Sequence, residues 1–206
     1  MSATGTPAAM RADARRNRQR LISAALAAFT EHGADDASLD AIARRAGVGI
    51  GTLYRHFPTR QALLEAVYRD QVEELCSGAG RLGAAASPAQ ALESWLRALM
   101  AFSATKKNLT SSLMSGPDSK RSEVAVSCSA MVRETADKLL TEAQRSGEIR
   151  PDVDATDLLR LSHALAMSSE LPSVHADQPE RLMKVLLDGL RAGGTSPGGR
   201  PPGTPR

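Results

Sequence analysis

An all-α protein is the expectation from three features of the 206-residue chain. It is rich in Ala and Leu, only 3% of it is aromatic, and long stretches hold neither Pro nor a β-branched run. Apolar residues also return with the period of a helix through most of its length. The chain is long enough for one domain or two small ones, each burying a core without metal or disulfide support. About nine helices are predicted and no internal repeat.

The elements follow in order. Residues 1–10, MSATGTPAAM, lack periodicity and are expected to form a disordered arm. Leu21, Ile22, Ala25, Leu26 and Phe29 make one stripe and Gly33 stands where a C-terminal cap belongs, so the first helix runs from about Arg11 to His32. In ASLDAIARRAG, Ser38 is a good N-cap, Leu39, Ile42, Ala43 and Ala46 share a face, and Gly47 stops the helix. A third short helix spans about Gly49 to His56, because Pro58 forbids its simple continuation. Thr59 then caps a longer helix carrying Leu63, Ala66, Val67 and Leu75, which reaches the glycine-rich boundary at residues 78–83.

The second half opens with a capping box, Ser87 as cap, Pro88 at the first helical position and Gln90 at the third, and Trp95, Leu99 and Phe102 share a face beyond it. A polar interval over residues 103–118 breaks the pattern and has room for one short helix around 109–114. A long helix from about Ser119 to Arg145 ends at Ser146-Gly147. Asp154 caps the next, whose stripe is Leu158, Leu161 and Leu165, and the last runs from about Gln178 to Arg191 with Leu182, Val185, Leu186, Leu187 and Leu190. Residues 193–206, mostly Gly and Pro, form a tail that cannot pack and is expected to be disordered.

Charge is unevenly placed. Residues 1–60 carry nine arginines against five acids, a net +4, while the remainder is −1, so the front of the chain is where a polyanion would be met. Cys76 and Cys128 are the only cysteines and the N-terminus lacks the apolar core of a secretory signal, which makes a reducing cytoplasm the simplest home. Charged residues interrupt every apolar stretch before about 18 residues, excluding a membrane span.

Gly47, Gly49 and Gly51 fall within five positions and raise the question of a phosphate loop. A dinucleotide-binding G-x-G-x-x-G needs a strand before it and a third glycine, but LDAIARRA has helical spacing and Tyr54 stands at the third position. A helix-turn-helix fits better, with Gly47 supplying the turn between two short helices. Glycine inside a helix costs roughly 1 kcal/mol relative to Ala, and what positions 49 and 51 offer in return is close approach of bare backbone to phosphate. A plain loop between helices remains the alternative.

SLDAIARRAGVGIGTLYRHFPTRQALLEAV resembles the DNA-binding signature of the tetracycline-repressor (TetR) family of bacterial transcriptional regulators. The likeness covers about residues 15–70 and includes Ile42-Ala43, Gly47-Val48, Gly51-Thr52-Leu53-Tyr54, His56-Phe57 and Ala62-Leu63; the rest agrees in length and helical pattern only. It implies a helix-turn-helix DNA-binding domain of three helices at residues 11–58 and a C-terminal ligand-binding and dimerisation domain at 59–192, with helix 4 (about 59–78) as linker. It also implies a homodimer formed by the last two long helices, and ligand-dependent separation of the two heads. Arg60 stands where lysine is common in the family, keeping the charge and adding a fork suited to phosphate.

Within the recognition helix Leu53, Phe57 and Val48 should face the core, leaving Ile50, Thr52, Tyr54, Arg55 and His56 for DNA. Arg55 is the candidate base reader, since guanidinium pairs bidentately with guanine O6 and N7, and Thr52 and Ile50 could touch thymine methyls. Tyr54 and His56 would by resemblance serve phosphates or helix packing. Ser38, Gly49, Gly51, Thr59 and Arg60 complete the expected DNA contacts; for Ser38 a cap alone is explanation enough.

Trp95, Leu99, Phe102, Leu113, Met114, Cys128, Met131 and Met167 are the candidate effector site, with core packing the alternative for any one of them. Leu158, Leu161, Leu165, Leu182, Leu186 and Leu190 are the candidate dimer interface, although such stripes also describe a monomer core. His32, His56, His163 and His175 lack metal-ligand spacing, Asp152, Asp154 and Asp157 are explained by a helix start, and no G-x-S-x-G occurs, so neither an enzyme nor a cofactor or metal is expected. The reading is a ligand-responsive repressor that binds an inverted repeat of double-stranded DNA as a homodimer. The alternatives are an effector-independent regulator of the same fold, or a helical small-molecule-binding protein or enzyme.

Overall fold

Pro7 at the first turn opens α1 (Pro7–His32), since its missing N–H is one that a helix start leaves unpaired. The helix therefore begins before Arg11, and residues 7–10 of the expected arm belong to it. In the computed structural model the described residues are 7–82, 87–105, 123–168 and 177–191. The remainder of the arm, the short helix expected at 109–114 with Leu113 and Met114, the start of the next helix at 119–122 and the tail at 193–206 lie outside them.

Eight helices occur among the described residues: α1, α2 (Leu39–Arg45), α3 (Ile50–His56), α4 (Arg60–Leu82), α5 (Pro88–Thr105), α6 (Glu123–Arg145), α7 (Ala155–Ser168) and α8 (Gln178–Leu190). The described residues hold no strand, only one antiparallel bridge between Ile149 and Arg191. The fold is thus all-α, as the apolar periodicity predicts. The chain forms two compact units. One takes α1 to α3, α4 through Ser77 and α6 through Val132, and the other takes α5 with the remainder of α6, α7 and α8.

The core of the first unit joins Leu21, Ile22, Ala25 and Phe29 of α1 to Ile42, Ala43 and Ala46, then Leu53 and Phe57, and finally Leu63, Leu64 and Val67 of α4. Each large side chain so buried contributes about 1.5–3 kcal/mol. Since the first turns of α4 supply a wall of this core, the head needs the start of α4 to be complete. Arg45 ties α2 back to α1 through both carboxylate oxygens of Glu31, at 2.9 Å each.

Gly47 sets the angle between α2 and α3. Its φ of +68° lets its N–H reach the Arg44 carbonyl while the Val48 N–H reaches that of Ala43, the paired bonds of a Schellman cap. A Cβ at Gly47 would also lie 2.4 Å from Arg20 Nη2. Gly47→Ala is expected to destabilise the head by about 1–2 kcal/mol, from left-handed backbone strain together with displacement of Arg20. Urea unfolding checks this, and an unchanged midpoint would contradict it.

In the second unit the predicted capping box is reciprocal: the Gln90 N–H donates to Ser87 Oγ at 3.4 Å and the Ser87 N–H to Gln90 Oε1 at 3.3 Å. Gln144 Nε2 donates to the carbonyls of Arg150 and Val153, shaping the turn between α6 and α7, and Asp154 Oδ1 caps α7 by accepting from the Asp157 N–H. The hydroxyls of Ser87 and Ser146 donate to Glu148 at 2.7 and 2.9 Å, and these bonds hold its carboxyl below the ordinary value of 4.5. A lowered folded pKa contributes stability above 4.5 that is lost as pH falls through the folded value. Glu148→Gln should therefore flatten the acid limb of thermal unfolding measured below pH 4.5; parallel limbs would rule this out.

Candidate nucleic-acid interface

The helix-turn-helix is built by α2, the Gly47 turn and α3. Leu53 is fully buried and Phe57 nearly so, with Val48 packed against them, as the stripe predicts. The opposite face of α3 is therefore outward. Tyr54 is 48% exposed, Arg55 is exposed without an ion pair or hydrogen bond among the described residues, and Thr52 is half-buried beside them. His56 is half-buried, its ring 6.2 Å from that of Phe57.

The start of the helix holds two further residues of the expected set. Ile50 is partly buried against the head core. Gly49 lies outside the helix as its N-cap, with φ −73° and ψ 151°, a position where glycine is well tolerated, so the helix-interior penalty does not apply to it. A Cβ at either Gly49 or Gly51 would meet nothing within 4 Å. Packing inside the protein therefore gives no reason for bare backbone at these two positions.

Ser38 Oγ accepts from the Ala41 N–H at 3.3 Å and Thr59 Oγ1 from the Ala62 N–H at 3.1 Å, capping α2 and α4. Both side chains are exposed, and each hydroxyl keeps its proton for another acceptor. Arg60 is half-buried and donates from Nη1 to the Ala34 carbonyl at 2.8 Å, which fastens the start of α4 to the α1–α2 connection. Its remaining N–H groups are unassigned by that bond.

The other head arginines divide in the same way. Arg16 pairs with Asp13, Arg45 with Glu31, and Arg18 lies over the Phe57 ring at 5.4 Å, a cation–π contact. Arg15 and Arg44, like Arg55, are exposed and carry no such partner among the described residues. Arg44 is not among the residues expected to meet DNA. Only its position at the end of α2, beside the buried Ile42 and Ala43, distinguishes it from the neighbouring Arg45 that Glu31 engages.

The expected effector set is shared between the two units. Trp95, Leu99, Phe102 and Met167 fall in the second unit, Cys128 and Met131 in the first, and Leu113 and Met114 lie outside the described residues. Trp95 and Cys128 are buried, Leu99 nearly so, and Phe102 and Met131 half-buried, whereas Met167 is exposed. Burial is the largest influence on Cys128 and pushes its thiol pKa up, away from the reactive thiolate. Trp95 Nε1 is a buried donor with no acceptor among the described residues.

The dimer candidates divide as well. Leu158 and Leu190 are buried within the protomer, so neither can serve an outward face. Leu161 is exposed, and Leu165, Leu182 and Leu186 are half-buried. Val185, at 70% exposure, stands on the outward row between Leu182 and Leu186 and was left out of the sequence-based set. The i, i+3, i+4 spacing of these three was the signal.

A turn-linked helix pair with an outward aromatic and cationic row, set on a helical chain, defines a helix-turn-helix DNA-binding protein. Comparison with known proteins gives the family. Residues 21–67 match the model of bacterial regulatory proteins of the tetR family, and residues 87–192 match that of the C-terminal domain of SbtR-like transcriptional regulators. The chain belongs to the TetR family of transcriptional regulators.

Solved structures agree over nearly the whole fold. The TetR regulator SCO0520 of Streptomyces coelicolor is 36% identical with a TM-score of 0.70, covering 86% of this chain and 99% of that one. A TetR regulatory protein of Mycobacterium vanbaalenii is 38% identical with a TM-score of 0.71, covering 88% and 99%. Two curated relatives match over about a quarter of the chain. TtgW, an uncharacterized helix-turn-helix regulator of Pseudomonas putida, and SrpR of the same species are each 50% identical over 56 residues, 27% of this chain. That match spans 42% of TtgW and 26% of SrpR. Among the described residues no helix is long and apolar enough to cross a membrane, and no cluster of potential metal ligands occurs.

Proposed function

We propose that the protein is a homodimeric, sequence-specific repressor that acts in the cytoplasm and leaves an inverted-repeat operator when a small molecule binds its second unit. The observation that carries the DNA reading is the outward row of α3, where Gly51, Tyr54 and Arg55 have no structural employment while Leu53 and Phe57 hold the helix from behind. An exposed arginine without an intramolecular partner pays no cost of breaking an ion pair on reaching a guanine. Ser38, Thr59 and Arg60 supply hydroxyl and guanidinium donors for phosphate, which positions the helix without reading sequence.

The two-fold half of the proposal rests on the outward apolar row of Leu161, Leu165, Leu182, Val185 and Leu186. A second copy presenting the same row would cover it, and the symmetry of such a dimer calls for an inverted repeat. An effector that prefers the arrangement mismatched to the half-sites lowers DNA affinity by its differential affinity for the two arrangements.

Two substitutions test the head. Arg55→Ala is expected to relax sequence preference at a cost of roughly 1–3 kcal/mol on the preferred duplex. Arg60→Ala should weaken binding to every duplex alike and reduce the salt slope by about one unit. Titration of a selected duplex and a scrambled one at several salt concentrations separates these effects. Wild-type binding by both variants would refute the docking of α3.

A further inference from the structure

We infer that the second unit binds a small amphiphilic cation, an ammonium group on an apolar body, in a cavity between α5, α7 and α8. This deepens the effector half of the reading above and rests on it for any consequence at DNA. The cavity measures about 330 Å³ and is lined by Arg97, Met100 and Ala101 of α5, Ala166 of α7, and Pro179, Glu180 and Met183 of α8. None of these belongs to the effector set expected from the sequence.

Five of the seven lining side chains are apolar, and the two methionines give a wall that adapts to the shape of an alkyl or aryl body. The volume is at the lower end of those that enclose small ligands. The polar end is a charge cluster. Arg97 Nη2 donates to Glu93 Oε1 at 2.9 Å, and Arg97 Nη1 donates to Glu180 Oε1. Arg97 and Glu180 line the cavity and pair with each other, and Glu93, outside the lining, holds Arg97 from another side, so the cluster of three carries −1. The two carboxylates also raise the Arg97 pKa, so the guanidinium stays charged and engaged.

The sign of the ligand follows from this arrangement. An anion would have to strip Glu180 from an Arg97 that Glu93 also engages. A cation meets a Glu180 carboxylate that is 66% exposed and whose Oε2 the arginine leaves uncovered. Electrostatic complementarity of this kind selects by sign, because the wrong charge meets repulsion as well as a lost contact.

Titration calorimetry on the full chain tests the assignment with octyltrimethylammonium and decanoate, apolar chains of similar size and opposite charge, both below their micellar concentrations. Saturable binding of one octyltrimethylammonium per protomer is expected, with decanoate at least about tenfold weaker. Glu180→Gln should weaken the ammonium about tenfold, and Ala166→Leu should abolish its binding by filling the cavity. Glu180→Gln changes an exposed side chain, so it remains informative if Ala166→Leu fails to fold.

Tighter binding of decanoate, no binding of octyltrimethylammonium, or an ammonium affinity untouched by Glu180→Gln would overturn the assignment. A selected duplex titrated in parallel keeps the two readings apart. Protein that binds the duplex and not the ammonium refutes this site alone. Protein that binds the ammonium and no duplex supports this site and refutes the regulator.

Discussion

Val185→Glu is expected to sediment as a monomer at concentrations where the unaltered protein forms the proposed dimer, and to lose high-affinity operator binding with it. Val185 is 70% exposed in the protomer, so the change should alter protomer stability by no more than about 0.5 kcal/mol. The inward face of α8, made of Met183, Leu187 and Leu190, is left untouched. In the proposed dimer, however, the same position is covered by the second copy. An unpaired carboxylate there costs several kcal/mol, as on any buried apolar site. Sedimentation velocity reads the result directly. A variant that remains dimeric with wild-type affinity would remove the α7–α8 row from the interface.

Leu53→Ala carries the other large effect, a loss of about 2–5 kcal/mol from the head. Leu53 is fully buried among side chains from α1, α2 and α4. The same side chain holds α3 from behind, so operator binding should fall together with stability. Chemical unfolding followed alongside duplex titration gives both quantities. A midpoint within experimental error of the wild type would mean that the packing of α3 described above is wrong.

Most of the head was legible because its signals are local. Ser38, Gly47, Pro58 and Thr59 act through their own backbone or through a neighbour three residues away, and the stripe of Leu21, Ile22, Ala25 and Phe29 follows the helix period. The beginning of α1 was misplaced for the same reason: AAMRADARRNRQR holds good helix formers but no apolar stripe, and Pro7 alone marked the start. Period alone does not separate a residue beside the core, such as the partly buried Ile50, from one beyond it.

The second half was harder to read for a physical reason. α8 is apolar on two sides, Met183 and Leu187 facing inward and Leu182, Val185 and Leu186 outward, so its pattern shows a helix without showing which row is the core. Leu158 and Leu190 were assigned outward on that ambiguity. The effector set was assembled from residue chemistry, and chemistry carries no tertiary address. Met100, Ala166, Pro179 and Met183, which line the cavity, are spread over three helices far apart in sequence.

The most direct test of a sequence-specific dimeric regulator is selection of random duplex DNA by the purified protein, followed by titration of the winning sequence at several salt concentrations. Recovery of an inverted repeat, bound by two protomers with affinity well above that for scrambled duplex, is the expected result. Recovery of no shared sequence, with only weak and strongly salt-dependent binding, would contradict it and reduce the head to nonspecific contact with the backbone.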